Sequence, residues 1–300
     1  MTSINLQLLR RLNVVGCDAV ASVVRRCIRE GVTGKDELAH ISATVLQHLP
    51  NLGANDIVSI LSSLSKAHYR NFHLFSALVE RLEQLPPLPL RESCSILRFF
   101  SRFHFTNTAL VMRCTDVINK NLDKLRPSDI CEVLHSLTKL RYCNDELIQA
   151  LVAKGLENLA TFDDLLLVNF VTGCSKANVS DTTVDALCHE LRSRAGTLGP
   201  LEVLRSLLAL SRFKSHPDAK IAAQSVIKGL NCSRFTLLQL TLALEAINAL
   251  GCDGRDRVKR ALELKRDAYP IVPPELVPRI EAAMAAEPAE QGDASTDVSV

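Results

Sequence analysis

One dipeptide recurs along the chain at a nearly fixed interval. A Ser or Thr followed by a Lys or Arg stands at 65–66, 101–102, 138–139, 175–176 and 211–212, so successive copies lie 36, 37, 37 and 36 residues apart. Self-similarity at a fixed period of roughly 20 to 50 residues is typical of stacked repeat architectures. The interval therefore constrains the possible fold more than any other feature of the sequence.

Two further columns keep the same register. A large apolar residue lies thirteen positions before each copy of the dipeptide, and six positions after it comes an Asn, an Asp or, in the last copy, a Pro followed by Asp. The apolar column is Leu52, Leu88, Leu125, Phe162 and Leu198, and the second column is Asn71, Asn107, Asn144, Asp181 and Pro217. Agreement between independent columns establishes the repeat.

Each repeat reads as two helices. In the copy that starts at residue 125, Ile130, Val133, Leu134 and Leu137 fall at i, i+3, i+4 and i+7, which predicts one amphipathic helix. Asn144 is predicted to cap a second helix, and the basic residue of the dipeptide is expected near the last turn of the first. We therefore predict an all-α fold: an α-solenoid of about six to seven antiparallel helix pairs with a 36–37-residue period.

The ends of the chain differ from its middle. Residues 1–51 are predicted to hold an atypical capping pair with helices at 19–29 and 36–49, residues 52–268 the repeat array, and residues 269–300 a Pro-rich end with a short helix at 278–286 and an acidic, disordered tail. The start lacks acidic residues before Asp18 and carries Arg10 and Arg11, which fits a mitochondrial targeting segment or an ordinary capping helix. Both interpretations remain open.

Composition bounds the chemistry. The formal net charge is +2, apolar residues make up 47%, and no apolar run reaches the roughly 18 residues that a membrane span requires. The ten cysteines form no C-x₂-C pair and are interpreted as reduced core residues of a reducing compartment. No catalytic, phosphate-binding or metal-binding motif is present. We therefore predict a chain without enzymatic activity, cofactor or metal, and without a membrane span.

Two polar columns predict the functional surface. If equivalent positions of a solenoid line up, the two columns form a mostly basic ridge that could follow the backbone of single-stranded RNA. The alternative is that a cation at each helix end only offsets the helix dipole. The dipeptide column is Lys66, Arg102, Lys139, Lys176 and Arg212, and the column two residues later is His68, His104, Arg141, Asn178 and Lys214.

Aromatic residues follow the second polar column in three repeats. They are Tyr69, Phe105 and Tyr142, and Val179 and Ser215 continue the column. Such residues could stack on nucleobases. Packing across the turn between the two helices is the favoured interpretation.

The repeat resembles a known class of organellar proteins. The pattern D-I-x₂-[IV]-L-x-S-L-[ST]-K-x₂-Y-x-N-x₂-L, at 56–74 and 129–147, is similar to heptatricopeptide and octotricopeptide repeats and to the leader repeats of FAST-kinase-like RAP-domain proteins. The resemblance covers roughly residues 52–265 and implies RNA processing, editing, stability or translation in an organelle, or a place in a mitochondrial ribosome. No RAP domain is recognised, which favours a binding or scaffolding role.

Two functional hypotheses follow. The first is a non-catalytic component of a ribonucleoprotein in the mitochondrial matrix that binds single-stranded RNA through the basic ridge and contacts other proteins of that complex. The second is a protein–protein scaffold without direct RNA contact. The low net charge favours the scaffold, whereas five basic residues in register favour RNA binding.

Overall fold

The computed structural model describes residues 16, 19–142, 144–269 and 271–286. These residues form fifteen α-helices and no β-strand, which confirms the predicted all-α class. The helices are α1 Val20–Arg29, α2 Lys35–His48, α3 Ala54–Lys66, α4 Phe72–Gln84, α5 Leu90–Phe103, α6 Thr108–Asn119, α7 Pro127–Leu140, α8 Asp145–Glu157, α9 Asp164–Cys174, α10 Asp181–Ser193, α11 Pro200–Leu210, α12 Pro217–Ile227, α13 Leu237–Leu250, α14 Arg255–Asp267 and α15 Val277–Ala285. The proposed targeting segment at Arg10 and Arg11 and the acidic tail from residue 287 lie outside the described residues.

The apolar periodicity is borne out by burial. Ile130, Val133, Leu134 and Leu137 of α7 are fully buried. The apolar column before each dipeptide is buried in every copy, at Leu52, Leu88, Leu125, Phe162 and Leu198, and Phe235 extends it. Each of these residues lies in the turn that leads into an odd-numbered helix. The core is thus built from one stripe of each helix together with the apolar residue that precedes each odd-numbered helix.

Contacts divide the chain into two compact units, residues 1–147 (unit 1) and 148–300 (unit 2), with the boundary inside α8. In unit 1 the odd helices α1, α3, α5 and α7 pack in succession, and the even helices α2, α4 and α6 form a second succession. In unit 2 the odd helices α9, α11, α13 and α15 pack in succession, and α10 packs on α12. Within each unit, therefore, the odd helices pack on the helix two elements away in the chain, and some also pack closely on the adjacent helix, as α5 does on α6 and α13 does on α14.

The second helix of a pair begins at a side-chain cap. The Oδ1 atoms of Asn71, Asn107 and Asn144 accept hydrogen bonds from the backbone N–H groups three residues later, at 3.0, 2.9 and 3.0 Å. The predicted cap at Asn144 is confirmed. In unit 2 the column shifts, because Ser180 caps α10 and Asp181 is its first helical residue. Pro217 likewise opens α12 at the first helical position.

Arginine side chains join neighbouring helices. In unit 1, Arg113 of α6 donates to the backbone carbonyls of Leu82, Glu83 and Leu85 at 3.3, 3.0 and 2.8 Å, which satisfies the open C-terminal end of α4. Comparable bonds between successive odd helices are Arg25 to Ser59, Arg98 to Glu132, Arg205 to Asn169 and Arg279 to Glu245. These arginines therefore hold the lateral register of helices that the apolar stripe alone would leave free to slide.

Candidate nucleic-acid interface

The basic residues of unit 1 lie at the C-terminal ends of three neighbouring helices. Lys66 is the last residue of α3, and Arg102 and Lys139 are the penultimate residues of α5 and α7. The side chain of Arg102 donates to Ser65 Oγ at 3.1 Å, which places the ends of α3 and α5 side by side. Ser101 Oγ donates to Ser136 Oγ at 3.2 Å and does the same for α5 and α7. We call these helix ends, with the turns that follow them, the basic edge of unit 1.

The Ser/Thr and the base of each dipeptide have different roles. Ser65 and Ser101 are buried, whereas Lys66 and Arg102 are exposed and Lys139 is half-buried. Lys66 and Lys139 have no hydrogen bond or ion pair within the described part of the chain. Their ammonium groups are available to an external anion.

The second polar column has an unusual backbone conformation in unit 1. His68, His104 and Arg141 have φ values of 53°, 51° and 54°. The residue after each donates its N–H to the carbonyl five positions earlier, at 3.1, 3.1 and 3.0 Å, as in a Schellman motif. Gly31 and Gly251 occupy the same position in the turns after α1 and α13. The left-handed turn therefore sets the direction of these side chains. The sequence repeat identifies the residues but does not reveal this backbone conformation.

The aromatic column is engaged within the protein. Tyr69 Oη accepts hydrogen bonds from Ser42 Oγ and Asn71 Nδ2, both at 3.2 Å. Tyr142 Oη lies 3.4 Å from Thr115 Oγ1. The ring of Phe105 packs among other aromatic rings, those of Phe72, Phe75, Phe99 and Phe100. These contacts favour packing across the turn over base stacking for all three residues.

Sequence reasoning missed one exposed aromatic residue. Phe72, the first residue of α4, is 56% exposed, and its ring is stacked on Phe105 with centroids 6.4 Å apart and planes at 22°. The signal was available, because the equivalent first residues Thr108, Asp145 and Asp181 are polar. A Phe that breaks a polar column at a helix start is not needed for the core.

The basic edge has few acidic neighbours. No Asp or Glu occurs between residues 57 and 79 or between 93 and 115, which include the turns after α3 and α5. The same segments contribute Arg70 and His73, both exposed. The first acidic residues near the third turn are Asp145 and Glu146 at the start of α8. These two segments therefore carry only positive formal charge, whereas the turns after α1 and α7 have acidic residues beside them, at Glu30 and Asp36 and at Asp145 and Glu146.

The predicted bases of unit 2 lie in a different setting. Lys176 lies two residues after the end of α9 at Cys174, and Arg212 lies in a 3-10 turn, Ser211–Phe213, that continues directly from α11. Both residues are therefore near the last turn of the helix, as expected. Arg212 lines a cavity of about 700 Å³ with Asp181, Asp185 and Asp218. Lys214 lines another, of about 640 Å³, with Glu245. The carboxylates that line these two cavities make the surroundings of Arg212 and Lys214 less favourable for an external phosphate.

Unit 2 instead presents leucines in register. Leu165, Leu201 and Leu238 are each the second residue of α9, α11 and α13, which pack in succession, and they are 49%, 52% and 46% exposed. The corresponding second residues in unit 1 are Asn55, Arg91 and Ser128. We call the three leucines the leucine column.

The described residues offer no sign of other chemistry. They contain no cluster of three His, Cys, Asp or Glu side chains that could hold a metal ion, and none of their helices is both long and apolar enough to cross a bilayer. Burial raises the pKa of the thiols of Cys94, Cys114 and Cys188 to about 12, so these thiols are protonated and weakly nucleophilic at neutral pH. Comparison with protein-family models and with curated protein sequences finds no match.

The left-handed turns generate a stability prediction. Because a non-glycine residue in this region costs roughly 1–2 kcal/mol, His104→Gly should raise the free energy of unfolding by about 0.5–1 kcal/mol after the entropy of glycine is subtracted. His104→Val should lower it. The control His73→Gly, inside the first turn of α4, should lower it by about 1 kcal/mol. Chemical denaturation of the three variants measures the differences, and a destabilised His104→Gly would contradict the assignment.

Proposed function

We propose that the chain is a non-catalytic helical-repeat component of a mitochondrial ribonucleoprotein, and that it binds single-stranded RNA through the basic edge of unit 1. The observation that carries the proposal is the alignment of Lys66, Arg102 and Lys139 at three adjacent helix ends, two of which lie in acid-free segments. Lys176 and Arg212, whose surroundings in unit 2 are different, are left out of this interface.

The repeat architecture is part of the proposal. The helices α3, α5 and α7 of unit 1 begin at residues 54, 90 and 127, and α9, α11 and α13 of unit 2 begin at 164, 200 and 237, so these starts are 36 or 37 residues apart within each unit. The terminal helices α1 and α15, which begin at residues 20 and 277, depart from this spacing. We propose that each unit is a stack of antiparallel helix pairs with that period, as in the organellar repeat proteins that the sequence resembles. That resemblance supports RNA as the ligand and mitochondria as the compartment. A reporter fused to residues 1–40 that stays in the cytosol would contradict a targeting role for the N-terminal segment.

The spacing of the bases suits a flexible polyanion. Packed helices lie about 8–10 Å apart, and long Lys and Arg side chains can adjust to phosphates over such an interval. A single strand can follow three helix ends in sequence, whereas a rigid duplex presents a fixed geometry. Contacts of this kind are electrostatic and independent of nucleotide sequence. They set affinity and position, and specificity requires further contacts.

The salt dependence of binding tests the interface. Three phosphate contacts predict that log K falls with log salt at a slope of about −2, using about 0.7 per contact for a single strand. The changes Lys66→Ala, Arg102→Ala and Lys139→Ala should each weaken binding of a labelled RNA oligonucleotide and reduce the slope by about 0.7. Fluorescence anisotropy at several salt concentrations measures both quantities.

The matched control for these variants is Lys120→Ala. Lys120 is exposed at the opposite end of α6, in the same unit, and its loss changes the net charge equally. Affinity and slope should stay close to those of the wild type. If Lys120→Ala reduces the slope as much as Lys66→Ala does, binding reflects net charge alone and the basic edge is not the interface. Thermal melting of all variants separates loss of fold from loss of binding.

The leucine column supports a second function, docking of a partner protein on unit 2. We infer that its occupant is an amphipathic helix with basic residues beside its apolar stripe. Leucines one helix spacing apart, about 8–10 Å, match partner residues at i and i+7, which lie about 10.5 Å apart. Asp164 and Glu202 are the sequence neighbours of Leu165 and Leu201, and Asp163 precedes Asp164. Asp164 is paired with Arg194 within the protein, so Asp163 and Glu202 provide the negative charge that complements a basic helix.

A pair of synthetic peptides tests the docking surface. One is a three-heptad helix with Leu every seventh residue and Lys flanks, and the other has Glu in place of Lys. The Lys peptide should bind more tightly, and Leu201→Ser and Leu238→Ser should each weaken it about tenfold, since burying a leucine contributes about 1.5 kcal/mol. Ile221→Ser, also half-exposed in unit 2, is the control. Equal binding of both peptides, or an equal loss with Ile221→Ser, would exclude this surface.

A further inference from the structure

We propose that Phe72 is a base-stacking platform, so that the basic edge of unit 1 binds a nucleobase as well as phosphates. This inference rests on the proposed RNA-binding function and adds to it a specific contact that phosphate binding alone does not require. A base has an apolar face that every nucleotide shares, and an exposed aromatic ring beside cations is how proteins commonly hold single strands.

The ring of Phe72 is exposed yet held in place. With 56% of its surface accessible, it is one of the most exposed large apolar residues in the described part of the chain. Phe105 supports it from the next turn in a nearly parallel arrangement, with centroids 6.4 Å apart, and Phe75 meets it edge-on at the same distance. Contacts with two neighbouring rings limit its rotamers. A platform ordered before binding loses little side-chain entropy when a base stacks on it.

The core does not explain this residue. Phe72 opens α4, where the apolar stripe is provided by Leu74, Phe75 and Leu78, all fully buried. The matching first positions of α6, α8 and α10 are Thr, Asp and Asp. The first residue of α12 is Pro217, so among these helix starts Phe72 is the one aromatic residue, and more than half of its surface is open to a ligand.

The charges around Phe72 select nucleic acid as that contact. Arg70 and His73 are exposed on the same turn, Lys66 ends the preceding helix, and Arg102 ends the neighbouring one. Basic side chains on both sides of an aromatic ring can neutralise the phosphates on either side of one stacked nucleotide. A protein partner would need an apolar side chain surrounded by its own acidic residues to match this edge. Every nucleotide, in contrast, provides both an apolar base face and a phosphate.

Fluorescence gives a direct test, because the chain has no Trp. Phe72→Trp creates a single reporter at the proposed platform. Its emission should be quenched to saturation by an oligoadenylate, since a stacked base quenches indole. An oligomer of equal length with abasic sugars should bind through its phosphates but leave the emission nearly unchanged. Equal quenching by both oligomers would overturn stacking.

Affinity gives the second test. Phe72→Leu keeps apolar bulk against Phe75 and Phe105 but removes the aromatic face, and we expect oligoadenylate affinity to fall about 5- to 150-fold with an unchanged salt slope. Its affinity for the abasic oligomer should equal that of the wild type. Met112→Leu, at a residue 53% exposed on α6, is the control and should change neither.

The outcomes distinguish the two proposals. If Phe72→Leu binds oligoadenylate as the wild type does while Lys66→Ala and Arg102→Ala lose affinity, the platform is wrong and the basic edge stands. If the wild-type chain binds neither oligomer at low salt, the RNA-binding function fails and the platform fails with it. If affinity falls equally for the adenylate and the abasic oligomer, Phe72 acts only through the fold of the edge, and stacking is overturned.

Discussion

The structure depends on lateral burial between equivalent helices. None of the described helices is longer than 14 residues, and isolated helices of that length are marginal in water. Each therefore needs neighbours for its apolar stripe, and for the odd helices these include the helix two elements along the chain in either unit. The same apolar positions recur in helix after helix because each helix is both the covered and the covering partner. Arginine side chains such as that of Arg113 then fix the register.

This packing has a consequence for the surface. When equivalent helices lie side by side, an outward-facing position of one helix lies next to the same position of the next helix. If that position has the same residue type in each helix, the side chains form a row. The position at the helix end accumulates Lys66, Arg102 and Lys139 in unit 1. The position at the helix start accumulates Leu165, Leu201 and Leu238 in unit 2. Within unit 1 this arrangement places basic residues at neighbouring helix ends, and within unit 2 it places exposed leucines at neighbouring helix starts. Each set of residues is the basis of one of the two proposed functions.

The sequence predicts what periodicity and local chemistry determine. The helices, the buried column at Leu52 and its equivalents, and the cap at Asn144 follow from apolar spacing and from the need to satisfy free N–H groups. The sequence does not predict that α9 and α11 end as α-helices before the dipeptide, at Cys174 and Leu210, whereas α5 and α7 include it. The left-handed conformation of His68, His104 and Arg141 does not follow from the sequence, because these positions lack the Gly that marks the same turn at Gly31 and Gly251. The leucine column escapes notice because a pattern of apolar residues does not reveal which face lacks a neighbour, whereas Phe72 could have been found by comparing the first residues of α4, α6, α8 and α10.

Locating bound RNA on the intact chain tests directly whether single-stranded RNA binds at the basic edge of unit 1. The full-length protein bound to an oligoribonucleotide can be irradiated with ultraviolet light, and the crosslinked peptides can be mapped by mass spectrometry. If RNA binds at the basic edge of unit 1, crosslinks should fall within residues 66–73 and 102–106, around the exposed ring of Phe72 and the turns beside it. Crosslinks concentrated at the carboxylate-lined cavity around Arg212, with none in the basic edge of unit 1, would contradict it.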